Sequence, residues 1–313
     1  MTSPVPALVA VGGAHVDRRG RLAVPFSPGA SHPGAMRETV GGGAFNAARA
    51  ASGRGVQAAL LSARGGDAAG AAVAEAIVDA GIRDLSSTFL DRTTPSYTSL
   101  LDREGEQIAG LADMALYETA FDRLLRRRPL RDAVAAADAV LADANLPESA
   151  LRRLAEIAGD HPLHAMAVSP AKALRWTPLL ERIACLFCNR AEAAALTGLA
   201  ASARGGELAR GLAARGLVQA VITSGNGPLE LLENGRVRLL RPLPVRPVDV
   251  TGAGDALTGA TLAALMNGRN LHDAALEGLA AAALAVETDA SAPDLTAAAF
   301  QTRLAEARRL NAP

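Results

Sequence analysis

The sequence predicts an α/β fold, with a mostly parallel central sheet covered by helices on both faces. Short apolar runs such as Ala7 to Val11 and Ala139 to Ala142 read as buried strands, and they alternate with helical segments rich in small residues. A length of 313 residues, 50% of them hydrophobic, supplies a large core that needs no staples.

Taken in order, Ala7 to Val11 is the first strand, Asn46 to Ser52 begins a small-residue helix, and Ala58 to Ser62 is a strand. Ala68 to Ala80 is a helix stopped by Gly81. Next come the strand Ala139 to Ala142, the helix Glu148 to Ala158 and the strands His164 to Ser169 and Ala184 to Cys188. The helix Ala191 to Leu196 and the strands Ala220 to Thr223 and Arg236 to Leu240 complete the regular rhythm. Beyond Asp249 the chain turns through glycines into a helix from about Gly254 to Met266, and Leu271 to Val286 is a further helix whose small residues allow tight packing.

Two segments break this rhythm. Arg19 to Val40 has no helical period, few apolar positions and several turn residues. Tyr97 to Leu101 and Glu106 to Ala109 flank the turn Asp102-Arg103-Glu104-Gly105 as a β-hairpin. Residues 19–40 and 96–115 together suit a small β-lid over the carboxyl edge of the main sheet, excluding water from a reaction below; two ordinary surface excursions fit the same pattern.

Composition narrows the function classes. The 32 basic and 32 acidic residues balance, and the pI lies near 7.0, so neither nucleic acid nor a membrane surface is an expected partner. No apolar run approaches the roughly 20 residues that span a bilayer. Cys185 and Cys188 lack companions at metal spacing and read as buried free thiols of a reducing cytoplasm. Lys172 is the sole lysine, so the glycine-lysine pair of a Walker-type loop is absent.

The most informative stretch is Asp249-Val250-Thr251-Gly252-Ala253-Gly254-Asp255. The backbone N–H groups of Gly252, Ala253 and Gly254 at the positive end of a helix form an anion hole suited to phosphate oxygens. Asp255, one residue on, is placed to take the proton of a substrate hydroxyl attacking phosphorus. A capped helix after an ordinary loop accounts for a lone Asp here, but less well for the whole run.

The other motifs are weaker singly. Gly12-Gly13-Ala14-His15-Val16-Asp17 follows the first strand, where Asp17 can bind a pair of polyol hydroxyls or cap a loop. Gly41-Gly42-Gly43-Ala44-Phe45-Asn46 opens a helix; its glycines admit a ligand to the backbone, and Asn46 offers donor and acceptor or serves as an N-cap. Asn189 and Glu192, three residues apart, suit either the waters of Mg²⁺ on a triphosphate or a capping box. Thr223, Gly225 and Gly227 form a strand-end loop that brings backbone close to a nucleotide.

In this order the motifs resemble the ribokinase-like (PfkB) carbohydrate kinases across nearly the whole chain. The resemblance implies a ribokinase-like three-layer α/β/α fold, with ATP as co-substrate, Mg²⁺, and a sugar or nucleoside as acceptor. It implies Asp255 as base; Gly252, Ala253 and Gly254 as anion hole; His15, Asp17, Gly42, Gly43 and Asn46 at the sugar; and Asn189 and Glu192 at Mg²⁺ and phosphate. Thr223, Gly225 and Gly227 would line the nucleotide site, and Asp249 with Thr251 a monovalent cation such as K⁺. Lids of this kind often pair across a two-fold axis, which implies a homodimer.

Within the family the chain looks most like pseudouridine kinases. That likeness rests on Gly12 to Asp17, Ser31-His32-Pro33-Gly34, Leu111-Ala112-Asp113-Met114 and Val168-Ser169-Pro170-Ala171-Lys172-Ala173. It places Lys172 near the transferred phosphate, although a solvated helix lysine gives the same pattern. His15, Phe45, Met166 and Ala167 depart from the subgroup, and Phe45 can stack on a base or fill the core. Ribose or another nucleoside is the alternative acceptor, and a non-catalytic nucleoside sensor the alternative from another class.

Overall fold

The computed structural model describes residues 5–288, 293, 295 and 298–312. In chain order the strands are β1 (Ala7–Val11), β2 (His15–Leu22), β3 (Gly34–Gly41), β4 (Gln57–Leu61), β5 (Ala63–Gly65), β6 (Arg83–Asp84), β7 (Ser87–Phe89) and β8 (Ser96–Leu101). They continue with β9 (Gln107–Asp113), β10 (Ala139–Asp143), β11 (Leu163–Met166), β12 (Ile183–Asn189), β13 (Gln219–Thr223), β14 (Leu229–Glu233) and β15 (Arg236–Leu240). The helices are α1 (Gly43–Gly53), α2 (Ala68–Asp79), α3 (Ala115–Leu124), α4 (Arg128–Ala135), α5 (Glu148–Ala158) and α6 (Pro170–Ala173). They are followed by α7 (Arg190–Thr197), α8 (Glu207–Ala213), α9 (Ala253–Met266), α10 (Leu271–Val286) and α11 (Ala298–Leu310).

The main sheet has nine strands in the order β15-β14-β13-β12-β11-β10-β1-β4-β6. All neighbours from β13 through β6 run parallel, and β14 and β15 add an antiparallel edge. Alternate strand residues sort to opposite faces, as the pleat demands. Leu8, Ala10, Leu60, Leu141 and Phe187 join the core under α1, α9 and α10, while Val9, Val11, Leu61, Val140 and Leu186 join the core under α3, α5 and α7. Two cores on one sheet are what make the three layers.

The two segments in which the rhythm breaks lie together in a separate four-stranded sheet, ordered β3-β2-β8-β9. The β8–β9 hairpin closes through Asp102, whose N–H donates to Glu106 O at 2.9 Å. Strand β2 starts at His15, so Asp17 belongs to this second sheet rather than to a loop. The strand expected to reach Ser169 stops at Met166, because Val168 turns the chain with φ 68 and Ser169 then caps α6. Among the described residues no helix is long and apolar enough to cross a membrane.

One contact sets the relation of α1 to α9. Both helices present small residues, and a Cβ on Gly259 would stand 2.2 Å from Ala47 O and 2.6 Å from Ala50 Cβ. Backbone cannot yield the way a flexible side chain does, so the helices would have to separate. Gly259→Ala gains about 1 kcal/mol of helix propensity but incurs an overpacking cost of about 1–3 kcal/mol. Urea unfolding is expected to show net destabilisation, larger for Gly259→Val. A neutral Gly259→Val would refute the close approach.

Candidate active site

The carboxyl ends of β10, β11, β12 and β13 and the start of α9 open onto a cavity of about 560 Å³, the place where open α/β sheets hold ligands. Its wall includes His15, Asp17, Gly42, Gly43, Asn46, Lys172, Asn189, Glu192, Thr223, Thr251, Gly254 and Asp255. Most of the residues singled out in the sequence therefore converge. Gly252 and Asp249 line an adjoining cavity of about 770 Å³ beneath β2 and β3, which shares Asp17, Asn46 and Thr251 with the first. Gly225 and Gly227 line neither cavity, and their place is the turn between β13 and β14, where Gly227 N–H donates to Ser224 O.

Helix α9 begins after Gly252, whose φ of 75 lets the chain enter the helix from a left-handed residue. No side chain caps this end. Ala253 N–H makes a long 3.4 Å contact with Val250 O, so the three amides of the turn are not equally free. Two residues into the helix, Asp255 Oδ2 accepts a hydrogen bond of 2.9 Å from Asn46 Nδ2 on α1. Surrounding protein pushes the Asp255 pKa up to about 7: burial is the main cause, the Asn46 bond opposes it, and the charges of Asp143 and Asp17 add to the rise. A carboxyl with that pKa exchanges a proton readily near neutral pH.

Asp143, at the end of β10, was not singled out in the sequence. It is fully buried, and its Oδ2 accepts from Gly13 N–H at 2.8 Å and Ala44 N–H at 3.0 Å, while Oδ1 accepts from Asn145 N–H at 2.9 Å. One carboxylate thus ties the loop after β1 to the start of α1. Asn145 Oδ1 in turn accepts from Lys172 Nζ at 2.6 Å, which holds the lysine at the cavity wall instead of in solvent. Burial lowers the Lys172 pKa, and the nearby Asp143 charge counteracts that. An Asp-Ala-Asn run directly after a buried strand was the available signal.

His15 bridges two groups, with Nδ1 3.4 Å from the Tyr117 hydroxyl and Nε2 3.5 Å from Asp17 Oδ1. Phe45 is wholly buried in the core, so of its two expected roles the structure assigns core filling, and no base can stack on it. Asn189 and Glu192 form a capping box: Asn189 Oδ1 accepts from Glu192 N–H at 3.0 Å, and Glu192 Oε2 accepts from Asn189 N–H at 2.8 Å. Glu192 Oε1 remains available at the cavity wall, although burial raises the carboxyl pKa. Among the described residues no three His, Cys, Asp or Glu side chains gather into a metal cluster, and both cysteines are buried free thiols.

Asp249, read as a ligand for a monovalent cation, already has both oxygens engaged. Oδ1 accepts from Thr251 N–H at 2.8 Å, and Oδ2 pairs with the guanidinium of Arg19 on β2. Burial acts to raise its pKa, but the bonds from Thr251 and Arg19 prevail and leave it lowered. A cation with this carboxylate as ligand would have to share it with the Arg19 guanidinium.

The model of the pfkB family carbohydrate kinases matches residues 7–298 of the chain. A carbohydrate kinase from Agrobacterium tumefaciens superposes with a TM-score of 0.84 at 41% identity, covering 96% of this chain and 97% of its own. The pseudouridine kinase of Escherichia coli (strain K12) is 28% identical over 97% of this chain and 98% of its length. The ribokinase of Arabidopsis thaliana, solved with ribose and ATP, shares the fold with a TM-score of 0.84 at 22% identity, covering 96% of this chain and 99% of its own.

The raised pKa of Asp255 has a consequence for stability. The fold favours its neutral form, so the stability this confers is present below the ordinary carboxylate pKa of about 4 and is lost as pH rises through about 7. Asp255→Asn stays neutral throughout. The unfolding free energy of the variant minus that of the native chain is expected to grow between pH 5 and pH 8. A difference that stays flat with pH would show that the carboxyl is not perturbed.

Proposed function

Because this chain belongs to the pfkB family of carbohydrate kinases and is a phosphotransferase with an alcohol acceptor, we propose that it moves the γ-phosphoryl group of ATP to the primary hydroxyl of a ribose-like ring, with pseudouridine as acceptor. The observation that carries the reading is Asp255: a carboxyl poised near neutral pH, held by Asn46 at the start of a helix and exposed to a cavity. The E. coli pseudouridine kinase supports the choice of acceptor, since it matches over nearly the whole length of both chains.

In this mechanism Asp17 and Asn46 orient the ring, with His15 steadying Asp17. The Asp255 carboxylate accepts the hydroxyl proton as that oxygen attacks the γ-phosphorus in line. N–H groups of Gly252, Ala253 and Gly254 at the head of α9 stabilise the charge on the phosphoryl oxygens, and Lys172 adds a point charge from the cavity wall. Asn189 and Thr223 meet the nucleotide. Glu192 Oε1 and Asn189 would hold the waters of a Mg²⁺ ion bound to the triphosphate, whose charge the ion would offset. Since Phe45 is buried, a base attached to the ring meets the β8 and β9 side of the cavity, where Tyr97, Ala112 and Met114 line the wall.

Asp255→Asn is expected to cut turnover by about 10²- to 10⁴-fold while acceptor binding persists. Unchanged turnover would remove Asp255 from the base role. Release of ADP over a panel of pseudouridine, uridine, other nucleosides, ribose and fructose tests the acceptor. Pseudouridine should give the highest kcat/KM. A preference for ribose would overturn the acceptor and leave the kinase reading, whereas no ADP with any of them would favour a sensor.

A further inference from the structure

Arg49 lies one turn beyond Asn46 on α1, and its guanidinium donates to Asn46 Oδ1 at 3.1 Å. The other end of the same amide donates to the Asp255 carboxylate at 2.9 Å. We infer that Arg49 is a positioning residue for the catalytic base: it fixes which way the Asn46 amide points and so holds the donor on Asp255. This rests on the reading of Asp255 as base.

The chemistry of the three groups allows only one polarity. A guanidinium has donors and no acceptor, so the amide must turn its oxygen toward Arg49. Its nitrogen then faces Asp255. Were the amide reversed, its oxygen would oppose the carboxylate, and the NH₂ would oppose the guanidinium; both contacts would repel. An Asn side chain alone carries no such preference, because its two ends are nearly the same shape. Arg49 is itself steadied: its guanidinium lies 5.0 Å above the Phe45 ring, and most of it is buried. Charge on Asp255 counteracts the lowering of the Arg49 pKa by burial, which places the two groups in electrostatic reach. The groups acting on Asp255 are thus Asn46 and Arg49 from α1, Asp17 and His15 from β2 and Asp143 from β10. Of these, Arg49 and Asn46 form the connected chain of donors that ends on the base.

The test titrates the Asp255 carboxyl directly by ¹³C NMR in the full chain, without substrate, and records kcat against pH in parallel. In Arg49→Met the Asp255 midpoint should rise by about half a unit or more, and kcat should fall several-fold near pH 6.5 with little change near pH 9. Arg49→Lys should recover part of both, which separates positioning from mere packing. Asn46→Ala raises the midpoint by itself, and adding Arg49→Met to it should then move the midpoint by clearly less than Arg49→Met does alone, leaving only the direct effect of the lost charge. An unmoved midpoint in Arg49→Met, or the same shift with and without Asn46, would overturn the inference. The titration is independent of turnover, so a chain that releases no ADP fails the kinase reading while the positioning role is still decided.

Discussion

The site depends on the approach of α1 to α9. Asn46 and Asp255 are 209 residues apart in the chain and meet only because the two helices pack at backbone distance through Ala47, Ala50 and Gly259. A hydrogen bond of 2.9 Å leaves little tolerance: a shift of an ångström would break it and leave a half-buried carboxyl without its side-chain donor. The apolar packing of Ala47, Ala51, Leu257 and Ala260 therefore does more than stabilise the fold. It sets the position of the Asp255 carboxyl.

Three carboxylates, Asp17, Asp143 and Asp255, surround the region where the acceptor hydroxyl would sit, and the surroundings of Asp143 and Asp255 differ. Asp143 accepts from three backbone N–H donors and brings a carboxylate charge close to Lys172. That charge helps hold Lys172 protonated against the effect of burial. Asp255 receives only the Asn46 donor and sits where burial and both neighbouring charges favour its neutral form. Distinct environments thus separate a structural carboxylate from one that titrates near neutral pH.

The local signals in the sequence carried far where the chemistry was local. Glu148–Ala158, Arg236–Leu240 and Leu271–Val286 have the bounds their patterns imply, and the glycine turn before Asp255 announces a helix start within a few residues. The hairpin was visible through its turn residues, but the second strand runs on to Asp113, and α3 then follows with the helical stripe Leu116, Tyr117, Ala120, Phe121 and Leu124. That stripe was present in the sequence and is recognisable once the hairpin's end is known. Asp143 had only its place after a strand to mark it; that it binds amides 130 residues away is a property of the sheet order, not of any local spacing. The capping box of Asn189 and Glu192 shows the converse, since one spacing suited two roles: the fold forms the cap and still leaves both residues at the cavity wall.

The link between the second sheet and the glycine turn follows from the period of a strand. His15, Asp17, Arg19 and Arg21 alternate along β2 and share one face, so whatever anchors Arg19 also constrains Asp17 two residues away. Arg19 is anchored on Asp249, which in turn orders the turn through Thr251 N–H. Both side chains are about a third exposed, 31% and 36%, so the pair contributes little to stability, about 0–1 kcal/mol after screening. Its effect is geometric. The tie sets the register between Asp17 on β2 and the glycine turn ahead of α9.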